Sequence, residues 1–414
     1  YRGDTLIQIA VLGFGTIGSG LYDALEKGYN LICKELQDCI NIKYILDLRD
    51  FPDHPLSDRV VHDFNVILSD PEIKIVCETM GGTKPAFEYS LSCLCAGKNV
   101  VTSNKEVVAN FGNILCDAAR DHNVRYLYEA SVGGGIPIIR SIKTALAGDE
   151  IFEINGILNG TTNYILTEME KRGKSMHEAL LEAQKLGYAE RDPSADINGD
   201  DSTRKICILS ALAFGVLISP SMVSTVGIKK ITQDDTSIAR KFGAAIKLVA
   251  STRKLDDGKI DIRVSPCLVR ASNPISMVDG VFNAVMIGAS CVGDVMFYGQ
   301  GAGSLPTASA VLADIIDIAK HLPTKQPKQE TWQVADEDTV CDESTVPITM
   351  YAAVQGLRSD VERIFADMID RTEILYSDPK SEITSFICKN ISRRDFTNIL
   401  QKADIPVLSL LRAL

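Results

Sequence analysis

Ile7-Gln8-Ile9-Ala10-Val11-Leu12-Gly13-Phe14-Gly15-Thr16-Ile17-Gly18 sets the reading of the fold. An apolar β-rich run passes through a glycine-rich turn into the helical pattern Ile17–Lys27. Gly13 permits the tight turn, Gly15 lets backbone approach a pyrophosphate, and Gly18 lets the helix pack closely on the strand. The N-terminus of that helix then offers N–H groups and the positive end of its dipole to phosphate. A glycine-rich turn without a ligand would show the same letters. The strand before it and the helix after it favour a dinucleotide cradle made of Gly13, Phe14, Gly15, Thr16, Ile17 and Gly18.

Outward from this turn, β-rich runs at Ile42–Leu46, Ile73–Glu78, Asn99–Thr102 and Val124–Tyr128 alternate with helical patterns at Lys84–Ala96 and Lys105–Asp121. That alternation predicts a doubly wound, Rossmann-type parallel sheet, an α/β fold, over residues 1–133. Gly133-Gly134-Gly135 and Pro137 mark a change of character, and residues 134–299 are expected to form a second, α+β domain. Its expected elements include a strand at Phe152–Leu158, helices at Thr161–Lys171 and Asp201–Phe214, and strands at Ile260–Val269 and Val281–Phe297. A helix follows at Pro306–Lys320. Residues 323–345 are the expected linker and 346–414 a small C-terminal α+β module.

At 414 residues the chain exceeds what a single core serves. Its 45% apolar and 23% charged content is that of a globular protein. A net charge of -11 opposes nucleic acid and anionic membranes and favours a small-molecule partner. Eleven cysteines, among them Cys33, Cys77 and Cys207, show no framework spacing and are expected to be reduced thiols of a cytoplasmic protein. The run Tyr1-Arg2-Gly3-Asp4 lacks the features of a secretory signal, and no apolar stretch is long enough to span a membrane.

Asp47 ends the second β-run, where a carboxylate can bind a ribose 2′-hydroxyl and repel a 2′-phosphate, favouring NAD. Arg49 could instead pair with a 2′-phosphate, and Asp47 could simply cap a turn. Glu78-Thr79-Met80-Gly81-Gly82 and Thr102-Ser103-Asn104-Lys105 sit at strand ends, where open α/β sheets bind ligands. Lys105 is there either a site residue or a solvated lysine opening a helix. The densest polar block runs from Gly187 and Tyr188 through Glu190, Asp192 and Asp196 to Asp201, Arg204 and Lys205. Asp201 and Lys205, four apart on a helix, form a plain surface ion pair or a working pair. In the second reading Glu190 and Asp201 bind an ammonium and a hydroxyl while Lys205 handles a proton. Asn159-Gly160-Thr161-Thr162-Asn163 is a strand-to-helix turn that caps the helix, binds a carboxylate, or both. Zinc is not expected, because none of the five histidines has a partner at ligand spacing.

Taken together, GFGTIG, VVTSNK, YEASVGGGIPII, GILNGTTNYIL, GYAERDPSADINGDDSTRK and YGQGAGSLPTA resemble homoserine dehydrogenase, in that family's order, from about Ile7 to Ala319. The resemblance implies reversible reduction of L-aspartate 4-semialdehyde to L-homoserine with NAD or NADP. Lys205 would donate the proton and Lys105 would assist. Glu190, Asp201, Asp196, Gly160, Thr161, Thr162 and Tyr188 would bind substrate, and residues 134–299 would carry both substrate binding and homodimer formation. Thr79 and Gly187 would join the cofactor set, and residues 300–322 would return to the nucleotide domain, with Gly301 and Gly303 near the cofactor. The family further implies a monovalent cation, Na+, on the Glu129 carboxylate and the carbonyls of Val132, Gly134 and Ile136.

Asp47 stands where many relatives carry a basic residue, which leans toward NAD. No aspartate kinase region occurs in the 414 residues, so the monofunctional type is expected. Residues 346–414 resemble the ACT regulatory domain in element order, but Gln355-Gly356-Leu357-Arg358 lacks the Pro-Gly expected after its first strand. Two other readings stand beside this one. One is a related amino-acid or semialdehyde dehydrogenase, although a cysteine-nucleophile type is disfavoured because Cys77 lies in a strand and Cys207 in a helix. The other is a non-catalytic dinucleotide sensor, which would not need paired lysines and carboxylates.

Overall fold

A computed structural model describes residues 6–322, 324 and 327–414. The lead-in Tyr1-Arg2-Gly3-Asp4, and Pro323, Lys325 and Gln326 of the expected linker, lie outside the described residues. In chain order the elements begin with β1 (Leu6–Leu12), α1 (Thr16–Leu36), β2 (Cys39–Leu46), β3 (Val60–Val61), α2 (Phe64–Ser69) and β4 (Ile75–Glu78). Next come α3 (Ala86–Cys95), β5 (Asn99–Thr102), α4 (Lys105–Asp121), β6 (Tyr126–Leu127), α5 (Ile138–Arg140) and β7 (Ile151–Ile157). The middle of the chain adds α6 (Gly160–Arg172), α7 (Met176–Lys185), α8 (Ser194–Ile197), α9 (Asp200–Phe214), β8 (Val216–Leu217), β9 (Ser224–Thr225) and α10 (Gln233–Lys241). Then follow β10 (Ala244–Lys254), β11 (Ile260–Arg270), β12 (Phe282–Ala289), β13 (Gly293–Gln300), α11 (Ser304–His321) and β14 (Gln333–Val334). The C-terminal elements are β15 (Pro347–Gln355), α12 (Arg358–Ile364), β16 (Thr372–Asp378), β17 (Ile383–Ser392), α13 (Arg393–Lys402) and β18 (Val407–Ala413).

The chain divides into two compact units. The first comprises Tyr1–Asp149, Cys207–Pro220 and Phe297–Ala335, and the second Glu150–Ile206, Ser221–Met296 and Asp336–Leu414. In the first, six strands pair in the order β3-β2-β1-β4-β5-β6, and every pairing is parallel. β4 and β5 are buried along their whole length, as expected of central strands in a sheet covered on both faces. Ile9, Val11, Leu21, Ile45 and Ile75 share one core with Val311, Ile315 and Ile318 of α11, so α11 shields the sheet beside α1. Part of the stretch expected as linker is anchored in this unit. Tyr126 N–H donates to Gln329 Oε1 at 3.0 Å, Tyr128 OH donates to Glu330, and Trp332 packs over Gly112.

The second unit is built on a mixed sheet in the order β13-β12-β7-β10-β11-β18-β15-β17-β16. β10 and β11 pair antiparallel along their full length, and β18 joins β11 in parallel at Cys267↔Arg412 and Leu268↔Ala413. The sheet therefore continues into the C-terminal residues, whose own core is built on Phe365, Phe386 and Phe396.

Three expectations are corrected. Val281–Phe297 is not one strand but two, β12 and β13, turning before Gly293 at φ +74°. β10 was not foreseen, because a strand buried on both faces lacks alternation and Lys247 interrupts its apolar run. Cys33 and Cys39, expected as thiols, form a disulfide: the left-handed Gln37 that ends α1 brings the chain back so that their Cα atoms lie 4.6 Å apart. Among the described residues no helix is long and apolar enough to cross a membrane.

Candidate active site

The glycine turn is shaped by what its backbone leaves room for. Gly13 has φ +87°, and a Cβ on it would lie 2.8 Å from Met80 Cγ. On Gly18 it would lie 2.3 Å from the Gly13 carbonyl oxygen, whereas on Gly15 it would meet nothing within 4 Å. Two glycines therefore close the strand–helix junction, and the third opens space over it. Gly15 is also the N-cap of α1, with no side chain capping that end, so the helix presents bare N–H groups to the opening. Thr79 Oγ1 donates to Gly13 O at 2.7 Å, tying the end of β4 to the turn. Phe14, Thr16 and Ile17 complete the turn and the first residues of α1. The sheet order reverses between β1 and β4, where doubly wound sheets bind nucleotides.

Asp47 and Arg49 act on each other. Arg49 donates to the Asp47 carboxylate from Nε and Nη2, both at 3.0 Å, and Phe14 N–H donates to Oδ2 at 2.8 Å. The Arg49 guanidinium and the two backbone N–H groups hold the Asp47 carboxyl down at about 2, against partial burial. Asp47 therefore braces the glycine turn as a carboxylate paired with Arg49. Past the end of β5, in the other half of the sheet, Lys105 is half-buried at the start of α4, directly after the N-cap Asn104.

Also in the first unit, Gly134 (φ +53°) meets the chain at Gly301, and Gly135 N–H donates to Gln300 O at 3.0 Å. Ser304 Oγ donates to Thr16 O at 2.9 Å, which brings Gly303 beside the start of α1. Glu129 is buried, accepting from Ile139 N–H at 2.9 Å and Arg140 N–H at 2.7 Å. Burial, with Asp314 adding to it, pushes the Glu129 carboxyl up to about 7. Ile136 O, one of the carbonyls expected at the cation, accepts from Ile138 N–H at 2.8 Å. Among the described residues no group of three or more His, Cys, Asp or Glu side chains could hold a metal.

The second unit carries the acid–lysine cluster. Lys205 Nζ donates to Asp201 Oδ2 and to Leu158 O, both at 2.7 Å, and both side chains are buried. The surface-pair reading is thereby excluded. Asn159, the N-cap of α6, joins the parts: its Oδ1 accepts from Thr162 N–H at 2.9 Å, while Nδ2 donates to Asp196 Oδ1 at 2.7 Å and Asp201 Oδ2 at 2.9 Å. Thr161 Oγ1 donates to Tyr188 O at 2.6 Å, and a Cβ on Gly160 would lie 2.7 Å from Val281 O. Gly187 turns the chain out of α7 at φ +78°. Glu190 does not join the cluster: it stands exposed, with its carbonyl accepting from Gln184 Nε2 at 3.1 Å.

Two polar residues, one in each unit, appear in the sequence reading only as members of longer segments, with no role of their own. In the sequence Asn159 is part of a turn, whereas in the fold it bonds both Asp196 and Asp201. Glu78, at the end of β4, is wholly buried and accepts from Thr102 Oγ1 at 2.6 Å and Met80 N–H at 2.8 Å. A charged residue closing an apolar strand was the available signal for it.

Two family models match the chain. The one described as homoserine dehydrogenase covers residues 137–316, and the one described as homoserine dehydrogenase, NAD binding domain, covers 13–129. A homoserine dehydrogenase of Lactococcus lactis is 42% identical over 321 residues, spanning 76% of this chain and 74% of that protein. Among solved structures, a homoserine dehydrogenase from Thiobacillus denitrificans aligns with a TM-score of 0.87 at 33% identity, covering 99% of this chain and 98% of that one. A hyperthermophilic archaeal homoserine dehydrogenase in complex with NADPH aligns at 0.64 and 28% identity, over 78% of this chain and all of that one. Shared architecture over nearly the whole length, joined to sequence identity of this size over three quarters of it, means that the chain belongs to the homoserine dehydrogenase family.

Proposed function

We propose that the chain interconverts L-homoserine and L-aspartate 4-semialdehyde, with Lys205 moving the hydroxyl proton and Asp201, Asp196, Thr161, Thr162 and Tyr188 forming the substrate side. As a member of its family it is an oxidoreductase using a nicotinamide dinucleotide. The open space over Gly15 and the bare N-terminus of α1 fit the pyrophosphate of that cofactor. When bound, the nicotinamide supplies or accepts the hydride.

The observation that carries the reading is the buried Lys205–Asp201 pair on Asn159. Carbonyl reduction builds negative charge on oxygen, and a fixed ammonium both stabilises that charge and supplies the proton. Asp201 and the Leu158 carbonyl fix where the ammonium lies, so little reorganisation accompanies the transfer. The start of α6 at Gly160 and Thr161, ahead of the N–H that Asn159 caps, suits the substrate carboxylate, and Glu190, exposed in the acidic loop, suits its ammonium. Lys105 assists from the end of the nucleotide sheet.

NAD is the favoured cofactor. Asp47 is ionised across the physiological range and would repel a 2′-phosphate. The cation assigned to Glu129, Val132, Gly134 and Ile136 has a charge argument behind it: Glu129 and Asp314 are both buried, with Arg140 near them, and Na+ would offset the second carboxylate. A homodimer through the second unit's sheet is supported by exposed apolar side chains at Phe152, Val292 and Met296 near its β13 end.

The test is nicotinamide absorbance at saturating homoserine, with related hydroxy amino acids as controls and NAD and NADP run in parallel. Homoserine with NAD should give the highest kcat/KM. A better rate with another hydroxy amino acid would replace the substrate assignment.

A further inference from the structure

The ends of β4 and β5 carry a buried polar network that the proposed chemistry does not use. Glu78 and Thr102 have no exposed surface, so neither can meet a ligand itself. Thr102 has one hydroxyl proton and donates it to Glu78 Oε2, which leaves its oxygen to accept from Asn104 N–H at 2.9 Å. Asn104 turns this order outward. Its Oδ1 accepts from Glu106 N–H and Val107 N–H at 3.1 and 3.2 Å, capping α4 just where Lys105 begins it. Its Nδ2 donates to Gly82 O at 2.7 Å, and Glu78 Oε1 takes the Met80 N–H. One carboxylate thus orders both the loop 79–82 and the start of α4.

Carboxylates are rarely buried without something to hold, because desolvation opposes the charge. Here desolvation is strong enough to push the Glu78 carboxyl to about 7 in spite of three hydrogen bonds. Its place explains the arrangement. A dinucleotide bound at the β1–β4 reversal would cross this sheet. The end of β2, with Asp47, would take the adenosine half, leaving the ends of β4 and β5 for the nicotinamide half.

We propose that Glu78 is a positioning residue for the nicotinamide half of the cofactor, acting through Thr102, Asn104 and Met80 to fix the 79–82 loop and Lys105. The proposal rests on the dinucleotide reading above. An amide cannot take over the role. Turned with NH₂ toward Thr102, it offers a donor to a hydroxyl that then has no acceptor for its own proton. Turned the other way, it sets NH₂ against the Met80 N–H.

The experiment compares NADH with ADP-ribose, which lacks the nicotinamide, by calorimetric titration of the full chain. Glu78→Gln should weaken NADH about tenfold and leave ADP-ribose within about twofold, as expected for one lost charge-assisted hydrogen bond acting on one half of the ligand. Thr102→Val should reproduce the effect, and the double variant should bind NADH no more weakly than the worse single variant, since both cut one chain of bonds. If Glu78→Gln does not fold, Thr102→Val carries the same readout. Equal loss of both ligands, or no loss of either, overturns the proposal. Should homoserine not be turned over at all, the titrations still read the network. Turnover with unchanged NADH binding in the variants would sink the network and leave the dehydrogenase standing.

Discussion

The glycine turn of the first unit and the acid–lysine cluster of the second reach order by opposite means. Gly13, Gly15 and Gly18 act through missing side chains, setting how closely backbone approaches backbone and how much space stays open. Asn159, Asp196, Asp201 and Lys205 act through polar side chains that hold each other in place around the buried Asp201–Lys205 charges. A backbone device tolerates almost no added atoms but carries no charge to be left unpaired. A side-chain device carries charge, and breaking it costs folding as well as chemistry.

The largest expected effect breaks the second device. Lys205→Met removes the proton carrier and leaves Asp201 buried without its cation. kcat should fall about 10²–10⁴-fold, and stability should fall by about 3–5 kcal/mol, the usual cost of halving a buried pair. Adding Asp201→Leu should recover much of the stability in a urea melt and none of the turnover. If both recover, the pair is structural and the proton travels elsewhere.

The next effect separates the glycines. Gly18→Ala puts a methyl 2.3 Å from the Gly13 carbonyl and should cost about 1–3 kcal/mol by forced displacement. Gly15→Ala, with nothing within 4 Å, should leave thermal stability nearly unchanged yet weaken NADH binding at least tenfold, because the added methyl would occupy the space proposed for the pyrophosphate. Equal effects of the two on stability would show that the open space over Gly15 is not a ligand's. A smaller loss is expected for Asn159→Ala: about 1 kcal/mol from the helix cap, with kcat lowered and KM for NAD unchanged.

The same contrast governs what could be read in advance. Glycine spacing is local, so GFGTIG between a β-run and a helical pattern pointed to the parallel sheet that β1, β2, β4, β5 and β6 form. The cluster was legible in composition but not in membership. Asp201 and Lys205 lie four apart on one helix, whereas Asn159 reaches them across 42 residues of chain and Glu190, in the same acidic run, stays outside. β10 hid behind its buried Lys247, which donates to Val278 O at 2.7 Å and so reads as polar only in the sequence. The parallel pairing of β18 with β11 leaves no local trace at all, since its register depends on residues some 145 apart.

Glu78 gives an expected effect that separates stability from binding. In the folded chain its carboxyl lies near 7, against 4.5 for an ordinary glutamate. Between those values the folded state holds a proton that the unfolded chain has released. Folding is therefore favoured as pH falls through about 7 toward 4.5, and this contribution is lost as pH rises through about 7. Tyr126, whose phenol is raised further by burial and by Glu78, stays neutral throughout and does not share the titration. For one group the slope is at most about 1.4 kcal/mol per pH unit. Urea melts at pH 5.5 and 7.5 should show wild type gaining on Glu78→Gln at the lower pH. A difference that ignores pH would mean that Glu78 ionises like a solvated side chain and that its hydrogen bonds, rather than burial, set its charge.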